Sequence, residues 1–90
     1  MEPQVRAVKR KFNHALEPIK VMLVNRKPLL PTQEWVSFVN HTKERVLIHP
    51  MEYLGDPLPE QAMIDHVVEM IFTEFLSNEG IPKSAPGSPQ

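Results

Sequence analysis

The stretch PEQAMIDHVVEMIFTEFLSN, residues 59–78, carries the periodicity that decides the fold. At helical spacing, Ile64, Val67, Val68, Ile71 and Phe75 fall in one stripe. Met63 and Met70 widen it on one side, Phe72 and Leu76 on the other. Apolar side chains thus take roughly two-thirds of the circumference, against the stripe of about 100° or more of an ordinary surface helix. A helix of about 20 residues is about 30 Å long. A face so broad on a helix so long predicts either the central helix of a small domain or a helix partly buried against another subunit.

The ends of this helix have their own signals. Asp56, ahead of Pro57 and Pro59, is the expected N-cap, with proline tolerated in the first turn. Glu60 then lies beside the positive end of the helix dipole. Gly80 suits the left-handed position that closes a helix, and Pro82 follows it.

Ninety residues allow one domain with a modest core. Hydrophobic residues at 41% and charged residues at 23% argue for a globular chain rather than disorder. There is no cysteine, which excludes disulfides, thiolate zinc sites and cysteine nucleophiles. The start, MEPQVRAVKRKF, has no apolar leader segment, and no run approaches the length of a membrane span. The expectation is a soluble cytoplasmic protein without a membrane partner.

Upstream, Val5, Val8, Phe12, Ala15 or Leu16, and Ile19 recur at steps of three and four, predicting a first helix over residues 3–17. Pro18 is expected to end or kink it. Residues 19–24, IKVMLV, read as a continuing helix or as a short strand. Residues 25–31 read as a connection, with Leu29 and Leu30 tacked onto the core. Thr32 as N-cap and Glu34 in the first turn open a second helix over about 33–47, carrying Trp35, Phe38, Val39 and Val46. A hairpin within 35–49 is the rival, weakened by a turn without glycine. Pro50 opens and Gly55 closes one short turn whose Met51, Tyr53 and Leu54 are expected to cap the core.

The fold class expected is therefore mostly α, a small bundle of three to four helices; the alternative is α+β, with a strand near 19–24 or a hairpin in 35–49. Residues 1–80 form the helical domain, and 81–90 read as a disordered Pro/Ser/Gly tail.

Charge is unevenly spread. Residues 1–27 hold seven basic groups and two acids, a net of +5, while residues 28–90 hold three and nine, a net of −6. On the first helix, Arg6, Lys9, Arg10 and Asn13 share a face that suits nucleic acid, with the cations on phosphates and Asn13 at a base edge. The bland reading is that the two halves satisfy each other. A pI near 6.4 and the lack of a helix-turn-helix pattern favour that one.

Chemistry of other kinds finds little footing. His66, one turn from Glu69 with Asp65 adjacent, is a single His-x-x-Glu. Metal sites in bundles need such motifs on several helices, so no metal and no cofactor are expected. The serines sit in no nucleophile-elbow context, and three glycines make no phosphate-cradling loop, so the chain is not expected to be an enzyme. The expected function is a small non-enzymatic adaptor, regulator or inhibitor. It would bind another protein, and itself as a homodimer, through Met63, Val67, Met70, Phe72 and Leu76. A nucleic-acid-binding regulator using the first helix is the alternative.

Overall fold

The chain runs as one helix straight through Pro18. The structure, a computed structural model, describes residues 3–81. Among these, four α-helices form: α1 (Pro3–Arg26), α2 (Thr32–Ile48), α3 (Met51–Leu54) and α4 (Gln61–Asn78). A 3-10 turn (Lys27–Leu29) follows α1, and no strand occurs among the described residues. The small-bundle expectation holds, and the strand and hairpin alternatives fall.

Three expectations at helix ends are corrected, the simplest being that Thr32 is the first residue of α2 and Pro31 its N-cap. Pro18 does not close the first helix at residue 17. Phe12, Leu16 and Leu23 are all fully buried, with Ile19 packed against the core, so one apolar stripe continues across the proline. The proline takes one N–H from the helical ladder, but both Pro18 and His14, whose carbonyl loses that partner, are solvent-exposed. Water can therefore replace the missing bond. The third correction concerns α4, whose N-cap is Glu60 and not Asp56. Both Asp56 and Leu58 precede a proline, which biases each away from helical angles. Pro57–Pro59 is accordingly non-helical, and the ladder starts with Ile64 N–H donating to the Glu60 carbonyl at 3.1 Å.

The exit of α4 follows its glycine. Gly80 has φ +88°, its N–H donates to the Ser77 carbonyl at 3.0 Å, and the Ile81 N–H donates to the Leu76 carbonyl at 2.8 Å. That pair of bonds is a Schellman closure. Ile81 packs against the core, so the folded part reaches one residue into the stretch read as tail; 82–90 lie outside the described residues.

Six of the thirteen core residues come from α4: Ile64, Val67, Val68, Ile71, Phe72 and Phe75. This makes α4 the central helix, the first of the two roles its broad apolar face allows. α1 supplies Phe12, Leu16 and Leu23, α2 supplies Trp35, Val39 and Val46, and α3 supplies Leu54. Within the short turn, Tyr53 is half-buried while Met51 stays exposed, and Leu29 is exposed where Leu30 packs inward. Met51 and Leu29 thus depart from their expected places in the core.

Three lysine–glutamate pairs tie the other elements to α4. Lys43 of α2 meets Glu69 at 3.1 Å, Lys9 of α1 meets Glu74 at 2.9 Å, and Lys27 meets Glu79 at 3.2 Å. Lys27 also donates to the Glu79 carbonyl at 2.7 Å and lies 5.4 Å from the centre of the Trp35 ring. Trp35 in turn sits 5.9 Å from Phe75, ring to ring. One corner of the bundle thus joins the end of α1, the start of α2 and the end of α4. Because Trp35 meets Phe75 and Lys43 meets Glu69, α2 runs antiparallel to α4.

Candidate interaction surfaces

Of the five α4 residues expected to form a partner face, Val67 and Phe72 belong to the chain's own core. Met63 and Leu76 are half-buried at its rim, and Met70 is half-buried on the outer side of α4. α1 and α2 cover most of the apolar arc that looked too wide for a monomer. What α4 leaves outside is a shallow, mixed surface of His66, Glu69, Met70, Thr73 and Glu74. Glu69 and Glu74 are already engaged by lysines there.

The basic face of α1 does assemble. Arg6, Lys9, Arg10 and Asn13 line one shallow depression on α1. Its electrostatics differ from the sequence expectation in two places. Lys9 is neutralised by Glu74, and the Asn13 side-chain oxygen accepts from Lys20 Nζ at 2.7 Å, so the amide is held along the helix. Lys20 thereby joins the face, bonded to a neutral amide. Of the basic groups in the N-terminal stretch, Lys9 and Lys27 satisfy acids of the other half, while Arg26 lies 5.5 Å over the Phe38 ring. Arg10 and Lys11 are exposed. The two halves of the chain therefore compensate each other in part.

A third surface was not anticipated. Val21, Val24 and Leu29 are 52%, 40% and 77% exposed, at the C-terminal end of α1 and the turn after it. Val21 and Val24 are three residues apart on one helix side, and the exposed Pro28 comes one turn later. The signal was present in the sequence. Once the stripe Phe12, Leu16, Ile19, Leu23 is carried past Pro18, Val21 and Val24 fall off it and have no core to enter. A smaller exposed pair, Ile48 and Met51, flanks the buried Pro50 where α2 gives way to α3.

His66 is exposed on α4, and among the described residues no three His, Asp or Glu side chains converge on one point. Every buried side-chain nitrogen or oxygen among them has a hydrogen-bond partner. No helix among the described residues is long and apolar enough to cross a membrane. No family model, curated protein or solved structure matches the chain.

Proposed function

We propose that this protein is a non-enzymatic interaction module, an adaptor, regulator or inhibitor that docks on another protein and self-associates. A cytoplasmic setting goes with that reading. The observation that carries it is the exposure of Val21, Val24 and Leu29, three aliphatic residues within nine positions of the chain where α1 ends. Contiguous exposed apolar surface on a small domain is a mark of binding sites, whereas single exposed apolar residues are unremarkable. The apolar end of α1 replaces the α4 seam as the contact surface, because Val67 and Phe72 are occupied inside the chain. Met63 and Met70 remain as a flank that a larger partner would also touch.

The test is the solution mass of the wild-type chain and of a Val21→Glu/Leu29→Glu variant, by light scattering at two protein concentrations and two salt concentrations. A wild-type mass above the monomer that survives high salt, with a monomeric and fully helical variant, is the expected result. A wild-type monomer under all conditions would sink self-association through this surface.

A further inference from the structure

We draw no further inference here: the strongest candidate, the apolar groove that Val8, Leu54, Pro57 and Leu58 line between α1 and the segment leading into α4, is an unpartnered face, and nothing in the structure shows what covers it.

Discussion

The indole N–H of Trp35 donates to the backbone carbonyl of Leu23 over 2.7 Å, inside the core. The bond reaches from the first turn of α2 to the last turn of α1, where backbone carbonyls have acceptor capacity to spare. It lets the chain bury its largest side chain completely without stranding a polar atom. Trp35→Phe keeps a ring but deletes the donor and leaves a void. It should cost about 2–3 kcal/mol, and Trp35→Ala about 3–5 kcal/mol, measured by urea unfolding followed by far-ultraviolet circular dichroism.

The lysine at the same corner should matter less than its contacts suggest. Lys27 donates to the Glu79 carbonyl and carboxylate, but its side chain is partly exposed. Lys27→Gln should lower stability by about 1 kcal/mol, and Lys9→Gln or Lys43→Gln by less, since exposed ion pairs contribute about 0–1 kcal/mol. Loss of these small effects at high salt in all three variants is the check.

Two glycines should respond unequally to alanine. Gly55 has φ +71° and ψ −169°, a region open in practice only to glycine, whereas Gly80 at φ +88° closes α4. An added Cβ meets nothing within 4 Å at either position, so the cost is backbone strain alone. Gly55→Ala should cost about 2–3 kcal/mol and Gly80→Ala about 1 kcal/mol, read from thermal unfolding.

Pro18→Ala should stabilise the protein. Pro18 lies mid-helix and exposed, so alanine restores an N–H to the ladder and removes a poor helix former without disturbing the core. A gain of about 1–3 kcal/mol is expected, raising Tm by about 4 °C or more for a domain of this size. An unchanged or lowered Tm would overturn this account of Pro18.

The flank and the core of α4 should separate cleanly. Val67→Glu places an unpartnered charge in a fully buried site and should unfold the chain. Met70→Glu, half-buried on the outer side of α4, should stay helical with a loss of about 1–2 kcal/mol. Circular dichroism and solution mass on both variants decide it.

Much of this architecture is legible in the residues. The 3.6-residue repeat of 64–75, the glycine at 80 and the Pro50–Gly55 bracket each specify local structure strongly, and α4, its Schellman closure and α3 lie where they point. The reading failed at prolines. At Pro18 a local rule was given more weight than the stripe Phe12, Leu16, Ile19, Leu23, which tertiary packing enforces. At Asp56 a good capping residue is expected although Pro59 disfavours helical angles at Leu58, inside the first turn such a cap would open. The binding surfaces were less legible. Whether an apolar residue is core or surface depends on which helix covers it: Val67 and Phe72, expected at a partner face, are core, while Val21 and Val24 are exposed. The partners of Lys9 and Asn13 lie 65 and 7 positions away, and only the first of these required the tertiary fold to bring the residues together.

The glutamates at 69, 74 and 79 recur every fifth residue, so each is turned by roughly 140° from the last around the axis of α4. A rotation of α4 in its socket would expose Val67 and Val68 and turn Asp65 and Glu69 inward, and the ion pairs add to that constraint at the surface. Three weak contacts pointing in three directions work together: any rotation or one-turn slip that preserves one pair misaligns the other two. Their contribution is to register, not to depth of the energy well. They act as the wards of a key, matching the seating of α4 that its buried face already favours.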